Sequence, residues 1–125
     1  MLRLLLLIAA LSIASPAAAQ PANPARAPFE AEMNQLAEIL GALHFLRPLC
    51  GANEGGRWRA EMQQLLEAVA PAPAMREALV SSFNRGYVSY EQTYRSCTPA
   101  ASVAIRRFLD EGARLSREIA TRYSN

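Results

Sequence analysis

The sequence predicts an all-α protein: a small antiparallel four-helix bundle with one disulfide, preceded by a signal peptide. Three observations carry this. Four stretches place apolar residues at three- and four-residue steps, the period of one helix face. No segment alternates with period two over a useful length, so no sheet is expected. The chain holds two cysteines, Cys50 and Cys97, and the expected topology puts both at the same end of the bundle.

The first of these stretches begins only after a targeting segment. Arg3 gives a short positive start, Leu4 to Ala14 is a compact apolar run, Ser15-Pro16 breaks it, and Ala17-Ala18-Ala19 has the small-residue pattern of a cleavage site. The apolar run is shorter than the ~20 residues a membrane span needs. Residues 1–19 are read as a signal peptide cleaved after Ala19, and the expected location is periplasmic. Residues 20–28, QPANPARAP, read as a flexible Pro-rich tether. The helical domain is assigned to residues 29–125, in keeping with one domain for a chain of 125 residues.

Helix 1 is expected from about Pro28 to Leu46. Phe29, Met33, Leu36, Leu40 and Leu43 share a face, and Pro48 and Gly51 stop the helix. The turn GANEGG leads into a second helix, about Arg57 to Val69, with Trp58, Met62, Leu65, Leu66 and Val69 as its stripe. Pro71 and Pro73 separate it from a third helix, about Ala74 to Ser96, whose face carries Leu79, Phe83, Tyr87, Tyr90 and Tyr94. Thr98 as N-cap and Pro99 in the first turn open the fourth. Its apolar face is Ala101, Ile105, Phe108, Gly112, Leu115 and Ile119. Arg106, Asp110, Arg114, Glu118 and Arg122 step by four along another face, as in a solvated ladder of ion pairs.

In an up-down-up-down bundle helices 1 and 3 run the same way, so their C-terminal ends, and with them Cys50 and Cys97, lie together. Two cysteines in an oxidising compartment normally pair. Closing a loop of nearly fifty residues is worth about 4 kcal/mol in the chain-entropy model.

The runs LHFLRPLCG, Trp58-Arg59 with Met62, FNRGYVSYEQTYRSCTPAA and FLDEGARLSREIATRY resemble an uncharacterised family of small exported alphaproteobacterial proteins, known only as a domain of unknown function. The resemblance covers nearly the whole mature chain. It implies export and a shared two-cysteine pattern, and it supplies no activity, cofactor or catalytic residue.

Composition excludes some functions. The net charge is +2, and no basic cluster is interleaved with aromatics, so nucleic acid is not an expected partner. All 13 basic residues are arginine, which GC-rich codon usage explains better than anion recognition does. His44 and Asp110 are each the only residue of their kind, and both cysteines are spoken for, so no catalytic set is assembled. No metal-ligand spacing occurs; Met33, Met62 and Met75 with His44 could be drawn around copper or haem, but gap-filling on apolar faces is their usual role. Glu30/Glu32 and Asp110/Glu111 read as surface charge. No catalytic residue, metal or cofactor is assigned.

Two site expectations remain. Counting back from the bridge at 1.5 Å per residue puts His44 and Tyr90 at about the same height, roughly 10 Å below it, as a candidate buried polar pair. The stapled end gathers Arg47, Trp58, Arg59, Tyr94 and Arg95, an aromatic-plus-arginine surface of the kind that forms binding hot spots. The expected function is a non-enzymatic exported module that binds or scaffolds a protein or an anionic envelope component. A small-ligand or metal/haem carrier is the alternative, and a small hydrolase is a third, less supported option.

Overall fold

The computed structural model describes residues 15–16 and 26–123. All of the expected signal peptide except residues 15–16, and most of the tether, lie outside the described residues. Four helices make up the domain, α1 (Arg26–Leu49), α2 (Arg57–Val69), α3 (Pro73–Thr93) and α4 (Pro99–Tyr123), with no strand among the described residues. α1 begins at Arg26, within the stretch read as tether.

The helix ends follow local chemistry. Helix α1 runs through Pro48, past the expected stop at Leu46. Pro48 has no N–H for the His44 carbonyl, but the loss falls in the last turn and does not break the helix. The stop comes one turn later. Gly51 takes φ +92°, the Gly51 N–H donates to the Pro48 carbonyl at 3.1 Å, and the Ala52 N–H donates to the Arg47 carbonyl at 3.0 Å. This pair of bonds is a Schellman closure with glycine at the left-handed position. α4 starts as expected: the Ala101 N–H donates to Thr98 Oγ1 at 3.1 Å, with Pro99 in the first turn.

α3 ends at Thr93 rather than Ser96, and Tyr94 is extended. The segment after Thr93 therefore leaves the helix and carries Cys97 across to the C-terminal end of α1. The Cys50–Cys97 disulfide forms there, with Cα atoms 4.9 Å apart.

Cross-helix contacts fix the directions. Asn34 meets Ser82, Glu38 meets Arg85 and His44 meets Tyr87, in ascending order on both helices, so α1 and α3 are parallel. Glu32 meets Arg122 and Gln35 meets Glu111, in descending order, so α1 and α4 are antiparallel. α2, α3 and α4 each pack on α1 and hardly on one another. Accordingly α1 is buried on nearly every side: Met33, Leu36, Ala37, Ile39, Leu40, Ala42, Leu43 and Leu46 are all core residues. They meet Trp58, Met62 and Leu66 of α2, Leu79 and Phe83 of α3, and Ile105, Leu115 and Ile119 of α4.

The α1–α3 interface is the closest. A Cβ on Gly41 would be driven into the Phe83 carbonyl oxygen and lie 2.8 Å from its carbon; one on Gly86 would meet the Glu38 carbonyl in the same way, and the Ala42 nitrogen at 3.0 Å. Only glycine permits backbones to approach this closely.

Candidate functional site

Because α3 and α4 both pack on α1 and barely on each other, a cleft of about 750 Å³ remains between them. Gln35, Glu38, Ile39 and Ala42 of α1 form its floor. Tyr90 of α3 closes one end, with its ring edge-on to Phe108 of α4 at 5.2 Å. Arg107, Asp110, Glu111, Arg114 and Arg117 of α4 form the long wall. These α4 residues recur at three- and four-residue steps, so helical periodicity brings them to one face.

Half of the charged side chains in the cleft are engaged in ion pairs. Glu38 pairs with Arg85 at 3.1 Å. Arg114 bonds Glu118 at 2.7 Å and also bonds Glu111, which in turn accepts from Gln35 at 3.2 Å. Glu111, rather than the expected Asp110, is thus the near partner of Arg114, because the guanidinium reaches one position further round the helix. Arg122 of the expected ladder instead lies over the Phe29 ring at 5.0 Å and pairs with Glu32 on α1. Among the described residues Arg107, Arg117 and Asp110 have no ion-pair partner.

Tyr90 is half-buried, and its hydroxyl makes no hydrogen bond among the described residues. Its ring stacks on Tyr94 at 6.3 Å. Burial raises its pKa, Tyr94 and Glu38 add to the rise, and the nearby Arg107 charge opposes it. The phenol is therefore a neutral O–H donor beside an unpaired guanidinium.

The expected His44–Tyr90 pair is not formed. The His44 ring lies on Tyr87 at 5.4 Å and on Phe83 at 5.8 Å, while Tyr90 turns toward Phe108. Counting back from Cys97 assumed an unbroken helix to the bridge, but α3 ends at Thr93. One turn of α3 further from the bridge, Tyr87 occupies the place beneath His44. Burial lowers the His44 pKa, and the positive charge of Arg59 lowers it further.

The five residues of the stapled end fall into separate groups. Arg47 donates to both carboxylate oxygens of Glu54, at 2.5 and 3.2 Å, and the Trp58 indole N–H donates to Glu54 at 3.0 Å. Arg57 completes this cluster at 3.3 Å and lies 4.7 Å from the Trp58 ring centroid. Trp58 is only 6% exposed. The Arg47 hydrogen bond is the main cause holding the Glu54 carboxyl below its usual pKa. Arg59 is exposed on α2. Tyr94 and Arg95 line a shallow groove with Phe45, Leu49, Glu91 and Gln92. The arrangement thus spends Arg47 and Trp58 on fastening the α1–α2 turn, and leaves Arg59, Tyr94 and Arg95 accessible.

Glu54 is the residue that sequence reasoning passed over. Its signal was present: an acid three and four residues before Arg57 and Trp58, at the entry to α2. The cleft had no such local signal, since it arises from which helices fail to touch.

Among the described residues no group of three or more His, Cys, Asp or Glu side chains is placed to hold a metal ion. Met33 and Met62 are core residues, and Met75 packs against the core. No described helix is long and apolar enough to cross a membrane. The sequence matches the family described as "Protein of unknown function (DUF2385)" over residues 28–123. Comparison with curated proteins and with solved structures gives no match.

Proposed function

The chain belongs to the DUF2385 family, whose description assigns no activity, and from that premise we propose that it is an exported, periplasmic and non-enzymatic binding module of the cell envelope. The supporting observation is the open cleft between α3 and α4, with its unpaired Arg107 and Arg117 and its aromatic end at Tyr90 and Phe108. A concave site of this size with a few convergent polar groups is the usual form of a ligand pocket. The disulfide suits an oxidising compartment. The small-ligand carrier reading is favoured over a flat scaffolding surface, because the stapled-end arginine Arg47 and Trp58 are occupied by Glu54.

Photo-crosslinking in the native envelope tests this. A photoreactive residue at position 117, in the cleft, is expected to form a discrete adduct, and the same residue at Val80, exposed on the outer face of α3, is not. Adducts at position 80 equal to those at 117, or none at 117, would overturn the reading. Alkaline phosphatase fused after Asn125 is expected to be active; an inactive fusion on an intact Met1 terminus would overturn export.

A further inference from the structure

The Tyr90 end of the cleft brings together two groups that folding leaves without partners. Arg107 has no carboxylate within ion-pair distance among the described residues. The half-buried Tyr90 hydroxyl makes no hydrogen bond there. Arg107 is close enough for its charge to act on the phenol, and both line the same cavity. The other charged groups at this end do not fill the role. Glu38 is drawn to Arg85 on the α3 side, and Glu111 is drawn to Arg114. Asp110, also without an ion-pair partner among the described residues, is one turn further along α4.

Resting on the cleft as the binding site, we propose that this end takes an oxyanion-bearing amphiphile. Its carboxylate or phosphate head is held by the Arg107 guanidinium and the Tyr90 hydroxyl, and its narrow apolar body lies along the Phe108 ring, over Ile39. The guanidinium carries a positive charge and offers donors only, and the neutral phenol adds an O–H donor beside it, so the pair favours an anion over a cation. The ring of Phe108 and the aliphatic floor supply the apolar part. A cavity of about 750 Å³ is far larger than an inorganic ion requires, which leaves room for a body attached to the head. An apolar chain without a head would leave Arg107 without an anion, and a head without a chain would gain nothing from the half-exposed Phe108 ring.

Isothermal titration of the oxidised full chain with decanoate, decyl phosphate and decyl maltoside, each below its micellar concentration, and with inorganic phosphate tests the proposal. One-to-one binding of decanoate or decyl phosphate is expected, and the tighter of the two identifies a carboxylate or a phosphate head. Decyl maltoside and inorganic phosphate should each bind at least about tenfold more weakly. Arg107→Gln should lose about tenfold in affinity for the acid, and Tyr90→Phe several-fold, while Arg95→Gln outside the cleft changes nothing. Circular dichroism confirms that the variants fold. Equal binding of decyl maltoside, undiminished binding by Arg107→Gln, or no one-to-one binding of either acid overturns the proposal. If the acids fail while position 117 still forms its adduct, the ligand class is wrong and the cleft stands as the site.

Discussion

Gly41 and Gly86 each rest against the backbone of the opposite helix: Gly41 on the Phe83 carbonyl of α3, Gly86 on the Glu38 carbonyl of α1. This reciprocal contact sets the spacing of the parallel α1–α3 pair, and the Cys50–Cys97 bridge closes the same pair at its C-terminal end. α4 packs on another face of α1, and the cleft is the space left between α3 and α4.

Substituting Gly86 by alanine tests that spacing. In an ordinary helix interior the change gains about 1 kcal/mol. Here the new methyl meets backbone that cannot turn aside, so a net loss of about 1–3 kcal/mol is expected from overpacking. Gly112→Ala is the internal control. Its Cβ would meet Ile39 Cγ2 at 3.3 Å and Leu36 Cδ1 at 3.9 Å, side-chain atoms that can shift, and its stability should stay near wild type. Urea denaturation of the two variants gives the comparison.

Removing the bridge by Cys50→Ala with Cys97→Ala should cost about 4 kcal/mol, the chain-entropy value for a separation of 47 residues. The helices and their packing are retained, so circular dichroism of the folded state should be unchanged while the denaturation midpoint falls.

Glu54→Ala should destabilise by about 1–3 kcal/mol, because it leaves the buried Trp58 indole N–H and the Arg47 guanidinium without their acceptor. A shift in Trp58 fluorescence should accompany the loss, since the indole loses its hydrogen bond. Arg59→Ala, exposed on the same helix, should change neither.

The helix count, the Thr98–Pro99 start and the Cys50–Cys97 pairing were legible in the sequence because each has a local cause: a three/four period, a capping hydroxyl followed by proline, and two cysteines at ends of parallel helices. The position of α1 at the centre was less so, although the run LAEILGALHFL is apolar on almost every side, as a fully surrounded helix must be. The expected His44–Tyr90 pair failed because the end of α3 is set by the reach of Cys97 to Cys50, which helical spacing does not contain. The cleft was out of reach for a different reason: Arg107 and Arg117 look like any other rungs of α4 until α3 is seen to stand apart from them.

His44 predicts a pH dependence. Its folded-state pKa is lowered from 6.5 by burial and then by Arg59, with Phe83 and Tyr87 as the rings that face it. A lowered histidine pKa means that the unfolded chain takes up the proton more readily. The contribution is therefore complete above about pH 6.5 and is lost as pH falls from there toward the folded-state value. The denaturation midpoint should fall between pH 7.5 and 5.5, and His44→Gln should flatten that slope.

The central claim, that binding takes place between α3 and α4, is tested most directly by amide hydrogen exchange on the oxidised protein, alone and loaded with envelope extract. Slowed exchange concentrated in residues 35–42 of α1 and 107–117 of α4 is the expected result. Protection at residues 57–59 and 94–97 of the stapled end, with the cleft unchanged, would contradict it.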